Sequence, residues 1–120
     1  MSKVIDCTTE PAQSSLLTHR FRTGKGLVVF TGCSHGGVVN AAKSALELTR
    51  NAVPLYAIIG GYHLANSADE IVAKTVQDLV KLDPQILLPG HCSGWRVKHE
   101  IETAMPTRLC PCTVGTKFVF

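Results

Sequence analysis

Large apolar residues in this chain gather in three short blocks, each of which runs into glycine and then a histidine. Leu27-Val28-Val29-Phe30 leads into Thr31-Gly32-Cys33-Ser34-His35-Gly36-Gly37, Leu55-Tyr56-Ala57-Ile58-Ile59 into Gly60-Gly61-Tyr62-His63, and Ile86-Leu87-Leu88 into Pro89-Gly90-His91-Cys92. Blocks of this length with little polar alternation predict strands covered on both faces. Between them the period changes to that of a helix. Val38, Ala41, Ala42, Ala45 and Leu46 mark one face of a predicted helix from Val38 to Leu48, which Asn51 and Pro54 end. Ile71, Val72, Thr75, Val76, Leu79 and Leu82 mark the buried face of a second, with Ser67 and Glu70 at capping-box spacing and Asp83-Pro84 as its stop. A third, weaker helix is expected over Trp95 to Ala104, with Val97, Ile101 and Ala104 inward. The tail from Thr113 to Phe120 alternates enough for an edge strand, with Cys110-Pro111-Cys112 in the turn before it.

Strand and helix alternating three times predict an α/β unit, βαβαβα with a short C-terminal strand, over residues 26–120. Residues 1–25 lack a period and are expected to be a loosely structured lead-in carrying at most one short strand. His19, among Arg20 and Arg22, reads there as a solvated loop histidine. The intervals from His35 to His63 and from His63 to His91 are both 28 residues, the length of one strand-plus-helix unit in a parallel sheet. All three histidines therefore reach the C-terminal edge of one sheet, where such folds bind ligands. Cys33 and Cys92 arrive with them. Imidazole and thiolate are preferred ligands of zinc, and imidazole also suits iron and, less well, manganese. Taken alone, each histidine reads as an ordinary loop residue; three in register favour a metal site made by His35, His63, His91 and Cys33. Ser34, Gly36, Gly37 and Ser93 stand in the same loops as candidates for substrate contact, close to a helix start that offers free N–H groups.

The totals narrow the function classes. In 120 residues, 45% hydrophobic and 18% charged, there is room for one core and no sign of disorder. A net charge of +3, with lysine and arginine scattered and few aromatics among them, gives no nucleic-acid surface but is compatible with an anionic small molecule. No apolar run approaches a membrane span, and the N-terminus lacks a secretory pattern. Five unevenly spaced cysteines argue against a disulfide framework, so a cytoplasmic, reducing setting is expected.

A competing motif occupies the same letters. Gly32-Cys33-Ser34-His35-Gly36 fits the G-x-S-x-G elbow of serine hydrolases, with Ser34 as nucleophile, Asp69 or Asp83 as acid and His91 or His99 as base. Cys33 as a thiol nucleophile beside His35 is a further alternative.

The three segments GLVVFTGCSHGGVVN, YAIIGGYHLA and ILLPGHCSGW together resemble the C-terminal half of metallo-β-lactamase-fold proteins of the dihydropterin-6-methyl-aminobenzene-phosphate synthase-like group. Members read G-C-S-H-[AG]-G-[IV]-[VI]-N, I-G-G-F-H and P-x-H-C-[TS]-G, and Tyr62 in place of Phe is the main departure. The resemblance implies an αββα sandwich, one or two metal ions between its half-sheets, His91 as the last ligand histidine, His63 lining the site, and Cys33 or His35 near a bridging acidic ligand. It implies metal-assisted hydrolysis or transfer on phosphorylated or pterin-like substrates. The family's H-x-H-x-D-H motif does not occur in this sequence. Catalytic residues are therefore not assigned, and an exposed sheet face is expected to seek a second copy or a partner chain. A non-catalytic binding or assembly module is the reading that follows if the missing donors are never supplied.

Overall fold

The computed structural model describes residues 3–5 and 18–120, with side chains from Thr23 onward. Its elements in order are β1 (Lys3–Ile5), β2 (Thr18–Thr23), β3 (Gly26–Thr31), α1 (Val38–Leu48), β4 (Leu55–Gly60), α2 (Asp69–Leu82), β5 (Ile86–Pro89) and α3 (Trp95–Ala104). They build one five-stranded sheet in the order β1-β2-β3-β4-β5. The three apolar blocks are its parallel part, β3 beside β4 and β4 beside β5, and each strand-to-strand link carries a helix. The α/β fold expected from the pattern is present.

Alternation along each strand divides the core between two layers. Leu27, Val29, Ile58 and Leu87 face the helices and pack with Val38, Ala42, Val72, Leu79, Val97 and Ile101. Val28, Ala57, Ile59 and Leu88 face the other way. That second face is the one expected to lie bare, but Phe118 and Phe120 of the tail pack over it beside Phe30 and Tyr56. The Phe120 ring meets both Phe30 and Tyr56 edge-on, with centroids 6.4 and 6.2 Å apart. The tail covers the sheet with rings and is not a strand, so the short C-terminal strand has to be corrected. Backbone pairing beside β5 comes earlier: Leu87 N–H donates to Arg108, Cys110 N–H to Leu87 and Cys112 N–H to Pro89. Rings at alternate tail positions gave the pattern of a strand while reaching over the face and not along the edge.

Other expectations change in the same way. Two strands come from the region expected to be a loose lead-in: β2 pairs antiparallel with β3 across the Gly24-Lys25 turn, and β1 pairs with β2. His19 stands in β2 opposite Phe30, not in a loop. Cys7 lies outside the described residues. α2 begins at Asp69 after Ala68, and its start has no side-chain cap, so Ser67 and Glu70 form no capping box. Ser67 instead offers its carbonyl to the Arg96 guanidinium, which also pairs with Asp69. The α2 stop is as read, with Asp83 in the left-handed conformation. Ile71 and Ala104, placed inward by periodicity, are exposed. Among the described residues no helix is long and apolar enough to cross a membrane.

Candidate metal centre

The three parallel strands end level with one another, and their backbone pairing continues past the last strand residues. Gly61 N–H donates to Gly32 at 2.8 Å and Gly90 N–H to Gly60 at 2.7 Å. Three tight loops are thereby clamped side by side. In each loop one non-glycine residue holds positive φ: Ser34 at 61°, His63 at 52° and Cys92 at 53°. Such residues are uncommon, cost on the order of 1–3 kcal/mol, and gather where surrounding structure fixes a functional geometry.

The loops after β3 and β5 bring Cys33, His91 and Cys92 together, with Cys33 Sγ 2.9 Å from His91 Nε2. The ligand atoms of all three lie within 4.8 Å of one another. Tetrahedral zinc bonded to sulfur at about 2.3 Å and nitrogen at about 2.0 Å spaces its donors by roughly 3.3–3.8 Å. The observed cluster brackets that spacing, so these residues fit a metal ion with small side-chain shifts. Backbone bonds fix the cradle: Leu64 and Ala65 N–H groups both donate to the Cys92 carbonyl at 3.0 Å, and the Cys92 thiol lies 3.5 Å from the Cys33 carbonyl.

The other two histidines stand apart from this set as a pair. His35 and His63, both exposed, stack with ring centroids 4.2 Å apart and planes tilted by 36°. The structure thus joins Cys33 to His91, adds Cys92 to them, and groups His35 with His63. Cys92 was visible in sequence as the neighbour of His91, but adjacent residues of an extended chain point to opposite sides. Only the left-handed turn at Cys92 brings both inward.

The proposed substrate-contact residues also separate. Ser93 is buried, accepts a hydrogen bond from Tyr62 N–H at 3.1 Å and lies 3.4 Å from the His91 carbonyl, so its oxygen holds the loops together. Tyr62 is buried beneath the site with its hydroxyl donating to Ile58 at 2.9 Å; burial raises its pKa far above the ordinary phenol value. Ser34 is buried too, but its Oγ has no hydrogen-bond partner. An orphan hydroxyl costs about 1–3 kcal/mol. Gly36 and Gly37 lead into α1, with Gly37 at φ 98° as its N-cap. No serine-hydrolase triad assembles: Ser34 Oγ lacks a base, Asp69 pairs with Arg96, and Asp83 pairs with Arg108.

Burial pushes the Cys92 thiol above its ordinary pKa, the His63 backbone opposes this, and nearby Cys33 adds to the rise. A raised folded-state pKa means that the protonated thiol stabilises the fold; this contribution is full below the ordinary thiol range and is lost as pH rises through the raised value. Without metal, the urea midpoint of the chain is therefore expected to fall with rising pH in the alkaline range. Cys92→Ser should remove that part of the fall. The thiol must lose its proton to bind metal, so metal affinity should strengthen over the same range.

Against known proteins, the chain is 35% identical over 77 residues to 7,8-dihydropterin-6-methyl-4-(beta-D-ribofuranosyl)-aminobenzene-5'-phosphate synthase of Methanocaldococcus jannaschii, covering 64% of this chain and 26% of that enzyme. It is 30% identical over 76 residues to an uncharacterized protein of the same organism, covering 63% and 27%. The crystal structure of Tm1679, a metal-dependent hydrolase of the beta-lactamase superfamily, superposes with a TM-score of 0.76 and 31% identity over 86% of this chain and 40% of that one. The fold is thus that of a beta-lactamase-superfamily member, shared over most of this chain. The chain spans about a quarter of the length of its curated relatives, and no protein-family model matches it. The Cys33, His91 and Cys92 cluster sits at the C-terminal edge of the parallel strands of this fold.

Proposed function

We propose that this chain is a member of the metallo-β-lactamase superfamily and forms a metal-binding half-site through Cys33, His91 and Cys92, within a protein acting by hydrolysis or transfer on phosphorylated or pterin-like substrates. The observation that carries the reading is the convergence of two thiols and an imidazole on one point in two clamped loops. Two thiols beside an imidazole favour zinc or iron over manganese. When bound, such an ion supplies Lewis-acid polarisation of a phosphoryl or carbonyl oxygen and lowers the pKa of a bound water.

The chain's own residues do three things in this scheme. Cys33, His91 and Cys92 hold the ion; Tyr62 and Ser93 fix the loops that carry them; His35 and His63 stand at the rim, where their ring N–H groups can meet an anionic substrate. This sequence contains no H-x-H-x-D-H, and none of the three donors is a carboxylate. Turnover in this reading draws on donors beyond the three, whether from another part of a longer protein, a second copy or a partner chain. The similarity to a synthase whose name includes an aminobenzene 5'-phosphate supports the substrate class.

Cobalt(II) substitution tests the donor set. The expected spectrum has a near-ultraviolet thiolate-to-cobalt charge-transfer band that loses intensity in Cys33→Ser and again in Cys92→Ser. A cobalt-loaded chain with no such band, or a band indifferent to both replacements, contradicts the assignment.

A further inference from the structure

Beside the metal donors, a cleft of about 390 Å³ opens between α1 and α2, lined among others by Ser34, His35, Lys43, His63, Ile71 and Lys74. None of the three clustered donors lines it. Its chemistry is that of an oxyanion site. α1 is an 11-residue helix whose start carries neither a side-chain cap nor an acidic residue in the first turn. The first helical bond runs from Ala41 N–H to the Gly37 carbonyl, and Gly37 N–H is itself bonded to Ser34. The N–H groups of Val38, Val39 and Asn40 are thus the ones a helix start leaves for an anion.

An independent observation points the same way. Ser34, 4% exposed, lines this cleft, and its hydroxyl is the one buried side-chain polar atom without a partner among the described residues. A hydroxyl can donate to a phosphate oxygen, which would satisfy it. Two lysines, Lys43 and Lys74, bring positive charge to the wall. The one carboxylate there, Asp78, lies 3.6 Å from the ammonium of Lys81. Asn40 steadies the loop by donating from Nδ2 to the Gly36 carbonyl at 2.8 Å. Ile71, on the cleft wall although 55% exposed, offers an apolar surface to an organic group attached to the anion.

We propose that this cleft holds the phosphate of a phosphate-monoester substrate, bound by the free N–H groups at the start of α1, Ser34 Oγ, Lys43 and Lys74. The proposal deepens the substrate reading above and rests on it for the reaction, while the subsite stands on its own residues. Binding needs no metal, so it can be tested apart from the metal centre.

The full chain, treated with chelator, is titrated with inorganic phosphate and separately with ribose 5-phosphate, and backbone amide shifts are followed by nuclear magnetic resonance. Saturating shifts are expected at Val38, Val39 and Asn40, with dissociation constants of about millimolar order. Ser34→Ala, and the pair Lys43→Gln with Lys74→Gln, should each weaken binding about fivefold or more. The ester should bind more tightly than the free ion. His91→Ala should leave phosphate binding in place, which separates a failure of the metal reading from a failure of this one. Shifts that are absent, or unmoved by the serine and lysine replacements, overturn the site; equal or weaker binding of the ester overturns its assignment to a substrate.

Discussion

Gly61→Ala is expected to destabilise the chain by about 2–3 kcal/mol and to disable the metal centre at once, because overpacking a tight site forces neighbours off their positions. A methyl group at residue 61 would lie 2.7 Å from Cys92 Sγ, 2.9 Å from the Gly32 carbonyl oxygen and 2.9 Å from His91 Cε1. Two of these atoms belong to the proposed ligands, and the third accepts the hydrogen bond that Gly61 itself donates. The Gly32 carbonyl cannot move without opening the clamp between the loops after β3 and β4. The side chains of Cys92 and His91 can move, but only by leaving the cluster. Urea unfolding with and without added zinc would show both effects: a lower midpoint in each condition, and little of the zinc-dependent rise expected of the parent chain. A variant as stable and as zinc-responsive as the parent would mean that the loops are not packed as described.

The second large effect concerns which histidine matters. His91→Ala is expected to lower metal affinity by well over about a hundredfold, since even partners outside the ligand shell are worth about 10–100-fold. His91 is exposed, so the replacement should hardly change the stability of the metal-free chain. Cys33→Ala should act in the same direction. His35→Ala and His63→Ala should retain most of the metal, because their rings stack on each other and lie outside the three-donor cluster. Isothermal titration with zinc measures all four on one scale. Equal losses from His35→Ala and His91→Ala would require a four-donor site that the loops do not show.

Much of this architecture was legible in the residues because burial imposes a period. The three apolar blocks are β3, β4 and β5, the face of α1 is the one that Val38, Ala41, Ala42 and Ala45 mark, and α3 runs from Trp95 to Ala104 as read. Where the reading departed, long-range contacts decided. β2 lacks an apolar block and is a strand because β3 pairs with it. Ile71 obeys helical spacing yet lies on a cleft wall where none of the described elements covers it. Ser67 had the right neighbour for a cap, but its carbonyl is engaged by Arg96 from α3.

The candidate site shows the same limit more sharply. Equal 28-residue spacing carries His35, His63 and His91 to one sheet edge, and chain spacing can say no more than that. Which side chains meet depends on the φ angles of single loop residues, and positive φ at Ser34, His63 and Cys92 has no sequence signal when the residue is not glycine. Those turns set Cys92 beside Cys33 and His91, and His63 against His35. The Ser34 hydroxyl, found in a motif that suggested a nucleophile, ends buried without the base a nucleophile needs.

The most direct test of the metal half-site is elemental analysis by mass spectrometry of the purified chain beside its His91→Ala, Cys33→Ala and His35→Ala variants. A Cys33–His91–Cys92 half-site should hold about one zinc or iron per parent chain, with near-complete loss in the first two variants and retention in the third. A parent chain free of transition metal even after incubation with zinc, or a metal content unchanged by His91→Ala and Cys33→Ala, would contradict it.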